Sequence, residues 1–546
     1  MSADASTGAV IPTRRIRPIL PVPADWVTSV AGNGSGAAGD PSDRAPGGSE
    51  IADAAEGDLA SDSRKAVRDT GMIGSSLLVT QMIGFVGGSI VVTRLLGERY
   101  GLVAFPESFA QLTMMALNLG VDTYVRKEVP VRPEHARDFA AGVLGVRLLG
   151  WAVCTAVGSA VLLALHRPGQ MLLLSLLFGI GQLLQHLAET NTAFLQSVGS
   201  VRNASLVRVA TKILWLVTVI GGLAAGFGLW IVPAAMIVSE GSKAVFLGLL
   251  AQRRLRLGAS LNMRATWLVL VASLPYLMTH INGALSATLD VAMVGFLTQT
   301  AATGRVDEVG LYRAATQLSL VALLLAPVIG WILLPLMSRA MARSEEEFWK
   351  VLRRSMEIVM TIAIPLALLV SLNADVIIHN TIGPKFDAAV PALRVLAPMF
   401  IVTYVSLVGS SALVRLNRGW FVTRVTLGGV AVNVALNLFL IRAGRRWWGE
   451  GGAGLGASIS IVVAETIVAT AFVAALGARA FDTRTLRSIV ITLFAGALVV
   501  LLDRLMVPFG AARPFADGAL YAGHLIGLRV IRPRELQRLA HGGGFS

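Results

Sequence analysis

Long runs of apolar residues, separated by short polar breaks, recur along the chain from about residue 70 onward. A helix that crosses a bilayer needs about 20 residues, and the runs reach that length. The pattern predicts thirteen membrane-spanning helices, at 72–97, 100–125, 138–165, 169–198, 204–227, 229–252, 264–298, 308–338, 349–373, 388–414, 422–442, 453–477 and 486–507. A fourteenth segment at about 511–528 contains Arg513, Asp517 and His524, so it is either a span or an interfacial helix. The chain is therefore predicted to be an all-α integral membrane protein.

Composition supports a membrane protein with little soluble structure. Hydrophobic residues make up 54% of the 546 residues and charged residues 15%, with a mean hydropathy of +0.68, whereas soluble proteins carry about 25% charged residues. The one cysteine, Cys154, lies inside an apolar run, which excludes an intrachain disulfide. The sequence contains no HExxH, CxxC or Walker A motif. We therefore expect no bound metal, no cofactor and no enzymatic activity.

Basic residues are distributed unevenly between the two sets of loops. With the N-terminus in the cytoplasm, the cytoplasmic segments after the first helix hold 24 basic residues and the external segments hold 10. Basic loops stay in the cytoplasm, so this bias predicts a cytoplasmic N-terminus. The net charge of +14 lies mostly in these short loops, and we therefore expect no nucleic-acid partner.

The pattern divides the chain into four regions. Residues 1–68 are rich in Gly, Ala, Ser, Asp and Pro without a sustained period, which predicts a disordered cytoplasmic tail. Residues 69–252 form a predicted N-lobe of helices 1–6, and residues 253–480 a predicted C-lobe of helices 7–12. Residues 481–546 are predicted to hold the extra C-terminal helices and a basic tail. Two such lobes are a common plan of membrane transporters.

The stretch from Leu289 to Arg343 carries the most specific pattern. Asp290 lies in one apolar run, Gly310-Leu311-Tyr312 opens the next, and Leu334-Pro335 followed by Ser338-Arg339-Ala340 closes it. At this spacing the stretch resembles a helical hairpin of the polysaccharide (O-antigen type) flippases, which belong to the multidrug/oligosaccharidyl-lipid/polysaccharide exporter superfamily. Two further stretches, Arg94–Gly101 after the first helix and Asp375–Arg418, are also similar to that family.

The resemblance implies both a fold and a function. The expected fold has two six-helix lobes plus one or two extra C-terminal helices. The expected function is the movement of saccharides linked to polyprenyl diphosphate across the cytoplasmic membrane by alternating access, for polysaccharide biosynthesis. The expected partners are the lipid-linked oligosaccharide, membrane lipids, and a glycan polymerase or export machinery.

Three other functions stay open at this point. A cation-coupled multidrug exporter of the same superfamily would need a buried carboxylate in the N-lobe; the first helix has none, whereas Glu189 and Glu240 lie in the fourth and sixth. A membrane polymerase or ligase would resemble proteins with one large external loop, and every predicted external loop here is short. A lipid-binding scaffold would share the same helical pattern.

Charged residues inside the predicted spans are the candidate site residues, because a charge in hydrocarbon costs several kcal/mol. Arg147 lies near the middle of helix 3, and Arg313 lies one turn before Gln317 on helix 8. Both arginines are candidates for the diphosphate, since a guanidinium binds phosphate through two parallel hydrogen bonds. The alternative for Arg147 is a structural ion pair with Glu189.

The remaining candidates are acids and one lysine. Glu240 and Lys243 are three residues apart on helix 6, so they are either a self-neutralised pair or a charge couple in the substrate cavity. Asp290 is the candidate for a coupling cation or proton, and its alternative is a pair with Arg313. The predicted substrate-binding set is therefore Arg147, Arg313, Gln317, Glu189, Glu240 and Lys243, with Asp290 as the predicted ion-coupling residue.

Overall fold

The computed structural model describes residues 48–94, 98–257, 261–298, 308–323 and 326–527, and it is helical apart from short turns. Its α-helices are α1 (Gly48–Arg94), α2 (Glu98–Met114), α3 (Val121–Glu128), α4 (Ala136–Ala164), α5 (Gly169–Ser197), α6 (Val201–Ala224), α7 (Ile231–Leu255), α8 (Met263–Thr298), α9 (Glu308–Leu323), α10 (Ala326–Arg343), α11 (Glu345–Leu372), α12 (Ala374–Thr381), α13 (Val390–Leu396), α14 (Met399–Arg415), α15 (Gly419–Trp448), α16 (Gly452–Leu476), α17 (Thr483–Met506) and α18 (Arg513–Gly527). No strand occurs within these ranges, so the predicted all-α fold is confirmed.

Eleven helical segments of the described residues are long and apolar enough to cross a membrane. Two of the thirteen predicted spans are not among them. The second predicted span is broken near its middle, between α2 and α3. The eighth contains α9 and α10, and residues 324–325 between them lie outside the described residues, so no single described helix covers it. Most spans were thus predictable from apolar length alone.

The helices pack as two lobes that meet along α8. In the first lobe α5 packs against α2 and α7, and α7 packs against α6. In the second lobe α16 packs against α14 and α15, and α11 packs against α14. α8 contacts α2, α3 and α4 on one side and α9, α15 and α16 on the other, while α17 and α18 pack against α11. The predicted two-lobed fold with extra C-terminal helices is confirmed.

The first helix begins earlier than the sequence pattern predicts. The described residues from Ala66 onward form one compact unit, and α1 starts upstream of it at Gly48, inside the predicted tail of residues 1–68. The start of this helix is rich in Ala and carries Glu50, Asp53 and Glu56. Helix-forming residues, with acids close to the helix N-terminus, favour a helix over a disordered chain. The rest of the predicted tail, residues 1–47, and the basic C-terminal tail, 528–546, lie outside the described residues.

The turns between helices group at two ends of the molecule. At one end, here called the basic face, Arg126 donates to the Gln196 side chain (2.9 Å) and Arg137 to the Leu255 carbonyl (2.9 Å). The other end, here called the opposite face, includes the turns at 165–168, 225–228 and 449–451. There the Arg445 guanidinium donates to the Thr298 carbonyl (2.6 Å). Each face is held together by contacts between residues distant in sequence.

The charges of the predicted fourteenth segment anchor it to the second lobe. Its described part, α18, has 15 residues, which at about 1.5 Å per residue is shorter than the hydrocarbon core of a bilayer. Arg513 donates three bonds to Asp503 (2.6, 2.7 and 3.0 Å) and lies 3.4 Å from Asp375. Asn373 donates to Asp517 (2.9 Å). Arg513 and Asp517 therefore have structural partners at the opposite face.

The second predicted span is not one continuous helix over 100–125. α2 ends at Met114, a 3-10 turn follows at Met115–Asn118, and α3 starts at Val121. Leu119 and Gly120 between them have left-handed backbone angles, with φ of 55° and 69°. A Cβ at Gly120 would lie 2.3 Å from the Ser273 carbonyl oxygen of α8. Position 120 therefore requires glycine both for its left-handed backbone and for this close approach of α8. The correction matters for function because a break inside a membrane frees backbone groups that need polar partners.

Candidate functional site

A cavity of about 220 Å³ lies between the two lobes, from the middle of the helices toward the opposite face. It is bounded by α1, α2, α6 and α7 of the first lobe and by α9 of the second. Its polar lining consists of Gln81, Tyr100, Glu107, Lys212, Arg313 and Gln317, and its other lining residues are Gly84, Phe85, Gly88, Val91, Val103, Trp215 and Val232. Six of these thirteen lining residues are polar, and polar groups that converge on a cavity are typical of a ligand site.

Glycines on α1 make the room for these polar side chains. A Cβ at Gly84 would lie 3.3 Å from the Lys212 side chain, and one at Gly87 would lie 2.3 Å from the Trp215 ring. A Cβ at Gly88 would lie 2.5 Å from the Gln317 amide, which comes from the other lobe. The glycine-rich sequence of the first span thus lets α6 and α9 place large polar and aromatic groups against it.

Lys212 is a cation without an acidic partner in the cavity wall. Its Nζ lies 4.1 Å from the centre of the Trp215 ring, one turn along α6. Across the described ranges, Lys212 makes no ion pair within 4 Å, although it is only partly exposed. A cation–π contact compensates an ammonium only in part. Lys212 is therefore available to an anion that enters the cavity.

Arg313 also has unused hydrogen-bonding capacity. Its Nη2 lies 3.7 Å from the Glu107 carboxylate, which is an ion pair longer than a hydrogen bond. Its Nε is buried and has no hydrogen-bond partner. Tyr100 lies beside the guanidinium in the same wall. The unpaired Nε of Arg313 can thus donate to a phosphate oxygen, while the guanidinium also interacts with Tyr100.

Arg147 differs from Arg313 in that its donors are occupied. It is 1% exposed and bonds acceptors from three helical segments. Nε donates to the Leu117 carbonyl (2.9 Å), Nη1 to the His186 carbonyl (2.8 Å) and the Thr190 hydroxyl, and Nη2 to the Asn118 carbonyl (3.0 Å) and the Asp122 carboxylate (3.2 Å). The alternative of an ion pair with Glu189 is wrong in its partner, because Asp122 is the acid that Arg147 meets and Glu189 instead accepts from Gln185 (3.2 Å).

The position of Arg147 explains how helix 2 is broken inside the membrane. Leu117 and Asn118 lie in the turn where α2 ends, so their carbonyls have lost their helical partners. Arg147 supplies hydrogen bonds to both carbonyls and a counter-charge to Asp122 at the start of α3. In this conformation its contacts are structural, and a diphosphate would have to displace them.

The other predicted residues lie at different places. Gln317 lines the cavity with Arg313, as their spacing on one helix face predicts. Glu240 and Lys243 form the predicted pair, with 2.6 Å between the charged atoms. Neither member of that pair, nor Glu189, is among the residues that line the cavity. The structure therefore brings together Arg313 and Gln317 from the predicted set, and adds Glu107 and Lys212.

Asp290 forms a separate polar site in the second lobe. It is 6% exposed and accepts bonds from Asn433 and Asn437, each at 2.6 Å, and from the Tyr312 hydroxyl at 3.5 Å. The alternative pairing of Asp290 with Arg313 is wrong, since Arg313 faces Glu107. Asn433 also lines a small cavity of about 30 Å³ that contains Glu465. In the part of the chain that the structure describes, no three His, Cys, Asp or Glu residues form a group suited to a metal.

Lys212 and Glu107 are the site residues that the sequence interpretation omitted. Each lies inside a predicted span, and an ionisable residue in a span indicates a functional site by default. This signal was sufficient to find both. Their convergence with Arg313 was not predictable, because it depends on how α2, α6 and α9 pack.

The comparisons place the chain among known families and folds. A family model described as polysaccharide biosynthesis protein matches residues 66–341. Comparison with curated proteins gives no match. The lipid II flippase MurJ in an inward closed conformation has a TM-score of 0.61 at 11% identity, over 84% of this chain and 100% of that one.

Two further solved structures share this fold. A mutant of the Vibrio cholerae MATE transporter VcmN has a TM-score of 0.53 at 15% identity, over 78% of this chain and 99% of that one. A MOP superfamily transporter from Pyrococcus furiosus has a TM-score of 0.53 at 15% identity, over 74% and 93%. At such identities the structures establish similarity of fold.

Proposed function

Because the chain belongs to the polysaccharide biosynthesis protein family, we propose that it is a flippase for saccharides linked to a polyprenyl diphosphate. The proposed step moves the polar head group across the cytoplasmic membrane by alternating access, and no covalent bond changes. A glycan polymerase or export machinery is the proposed downstream partner. The coarser conclusion, a multi-pass membrane transporter of the MOP superfamily, follows from the family and the fold.

The observation that supports this substrate is the charge of the cavity. Lys212 on α6 and Arg313 on α9 both line it, and the acid Glu107 on α2 lines it as well. The three groups leave one positive charge in excess. A diphosphate is a multivalent anion with several acceptor oxygens, so it can bond Lys212 and the Arg313 fork together. The polyprenyl chain can meanwhile stay in the surrounding lipid.

The same charge disfavours the alternative of a cation-coupled multidrug exporter. A cationic drug would have to enter a cavity that already holds an unpaired ammonium at Lys212. Repulsion between like charges is strong where water is scarce. Glu240, which could bind a cation, is already neutralised by Lys243.

Replacing Lys212 tests the proposed substrate in cells. Lys212→Met keeps the length and packing of the side chain but removes the charge, so it should block glycan export and cause lipid-linked diphosphate saccharide to accumulate. Lys212→Arg should retain most export. The measurements are extracted lipid-linked saccharide and exported glycan, normalised to protein in the membrane. The exposed lysine variant Lys385→Met is the control, and full export by Lys212→Met would contradict the substrate assignment.

We also propose that the basic face is cytoplasmic, as the distribution of basic loops predicts. In a Cys154→Ala background, Glu346→Cys at the basic face and Glu450→Cys at the opposite face are both exposed positions. An impermeant maleimide added to intact cells should label Glu450→Cys and leave Glu346→Cys unlabelled until the cells are opened. Labelling of both positions in intact cells would contradict this orientation.

Asp290 is the proposed coupling residue of the second lobe. It is a buried carboxylate whose partners are two amides and a hydroxyl, all neutral. A buried carboxylate without a basic partner favours binding of a proton or a small cation. Binding there would bias the conformation of the second lobe and so couple an ion gradient to transport.

Asp290→Asn should uncouple transport from the ion gradient. The amide has nearly the same shape, so the protein should still fold, but export should fall by at least about fivefold. The residual export should no longer respond to dissipation of the sodium or proton gradient. Asp387→Asn, at an exposed acid of the opposite face, is the control. Unchanged export and an unchanged response to the gradient would remove Asp290 from the coupling mechanism.

A further inference from the structure

One ion pair of the cavity joins the two lobes. Glu107 belongs to α2 of the first lobe, and Arg313 belongs to α9 of the second. Their charged atoms are 3.7 Å apart, and both side chains are partly buried, with 33% and 21% exposure. The pair therefore lies both in the proposed substrate site and across the seam between the lobes.

The residues around Glu107 form the rest of this seam. Phe105 and Phe109 flank Glu107 on α2, and both rings contact Phe296 of α8, with centres 5.2 and 5.8 Å apart. A Cβ at Gly295 would lie 2.1 Å from the Phe105 ring, so the two helices are in close contact. Arg167 of the first lobe donates to the Gly295 carbonyl at 3.3 Å. These contacts are to neutral groups, whereas the contact of Glu107 with Arg313 depends on charge.

A diphosphate would compete directly with Glu107. Arg313 has a buried Nε without a partner and only a long contact with the carboxylate. Phosphate oxygens can make short, paired hydrogen bonds to the same guanidinium, which are stronger than a 3.7 Å ion pair. A diphosphate between Lys212 and Arg313 would also repel the Glu107 carboxylate, because like charges repel strongly in a poorly hydrated site.

We propose that Glu107 is the counter-ion that the diphosphate displaces from Arg313, and that this exchange releases the seam between α2 and α9. The inference rests on the proposed function for its ligand. Without substrate, Glu107 partly neutralises the cavity and holds the lobes together at the opposite face. With substrate, Arg313 is bound to the diphosphate, and α2 loses its electrostatic contact with the second lobe. Glu107 is thus a positioning residue that couples occupancy of the site to opening.

Accessibility of a cysteine beside the seam tests this exchange. In a Cys154→Ala background, Val103→Cys places a thiol in the cavity wall, one turn from Glu107 toward the opposite-face end of α2. The protein is reconstituted at full length in nanodiscs, and an impermeant maleimide reports the labelling rate. The probe ligands are a polyprenyl diphosphate and, as the matched control, the corresponding polyprenol. A separate Leu174→Cys variant, at a buried position of α5, reports any general loosening of the protein.

The expected result is a several-fold faster labelling of Val103→Cys with the diphosphate and no change with the polyprenol. Glu107→Gln should label fast without any ligand and respond no further, while Glu107→Asp should behave like the wild type. Leu174→Cys should stay unlabelled in every sample. Labelling of Leu174→Cys in Glu107→Gln would mean that this variant has unfolded. The wild type then decides the proposal, because equal labelling rates of Val103→Cys with the diphosphate and with the polyprenol would overturn it.

Two results would overturn the exchange, and they are distinguishable. If the diphosphate opens the wild type but Glu107→Gln stays closed without ligand, Glu107 does not hold the seam, and the proposed substrate is unaffected. If Glu107→Gln is open but the diphosphate changes nothing in the wild type, the proposed substrate fails together with the exchange.

Discussion

Replacing Arg147 by alanine should remove most of the folded protein from the membrane. The substitution leaves Asp122 as a buried charge without its counter-ion and frees the carbonyls of Leu117 and Asn118. Removing one member of a buried ion pair destabilises a protein by about 3–5 kcal/mol. The expected loss is visible as low abundance in membranes and a lower midpoint in thermal unfolding, followed by fluorescence-detected size exclusion.

Three variants separate this structural role from a role in binding. Arg147→Lys keeps the charge but loses the planar fork, so it should also lower stability, because one ammonium cannot replace bonds to five acceptors. Asp122→Asn combined with Arg147→Met should be less destabilised than the sum of the single changes. Arg479→Ala removes an exposed pair with Glu345 and should have little effect. Normal abundance and stability of Arg147→Ala, with lost transport, would instead identify Arg147 as a substrate residue.

Replacing Arg313 by lysine should leave the abundance of the protein in the membrane near normal but cause a large loss of transport. This is the opposite of the result expected for Arg147→Ala. The ion pair of Arg313 with Glu107 is long and partly exposed, so its loss should change stability little. The lost paired hydrogen bond to phosphate should cost about 1.5–3 kcal/mol, or roughly 10- to 150-fold in binding. The measurement is glycan export at limiting substrate, normalised to protein in the membrane.

The matched control for Arg313→Lys is Arg394→Lys, which changes an exposed arginine paired with Asp375. It should leave export unchanged. Arg313→Gln, which removes the charge as well, should be at least as impaired as Arg313→Lys. Full export by both Arg313 variants would show that the guanidinium of Arg313 does not contact the substrate.

Much of the fold follows from local patterns in the sequence. Apolar length is enough to locate most spans because the bilayer sets a minimum length for any helix that crosses it. The pair of Glu240 and Lys243 follows from a spacing of three residues on one helix. Features that depend on one helix, or on adjacent parts of one helix, were thus accessible without the structure.

Features that depend on contacts between helices were less accessible. The break between α2 and α3 falls at Leu119 and Gly120, and it is stable because Arg147 of α4 reaches the freed carbonyls. Spacing along the chain does not show which acid Arg147 meets, and for that reason Glu189 was named from the sequence and Asp122 was missed. The pairing of Arg313 with Glu107 instead of Asp290 was missed for the same reason. The packing of α9 against α2 decides which carboxylate lies near the guanidinium.

The most direct measurement of the central proposal is transport by the purified full-length protein in proteoliposomes. The substrate is a polyprenyl diphosphate that carries a labelled disaccharide, initially restricted to the inner leaflet, and an impermeant lectin reports its arrival outside. The account predicts protein-dependent exposure of the saccharide, lost in the double variant Lys212→Met and Arg313→Gln although that variant is folded and reconstituted. Equal exposure in protein-free liposomes, in the wild type and in the double variant would contradict it.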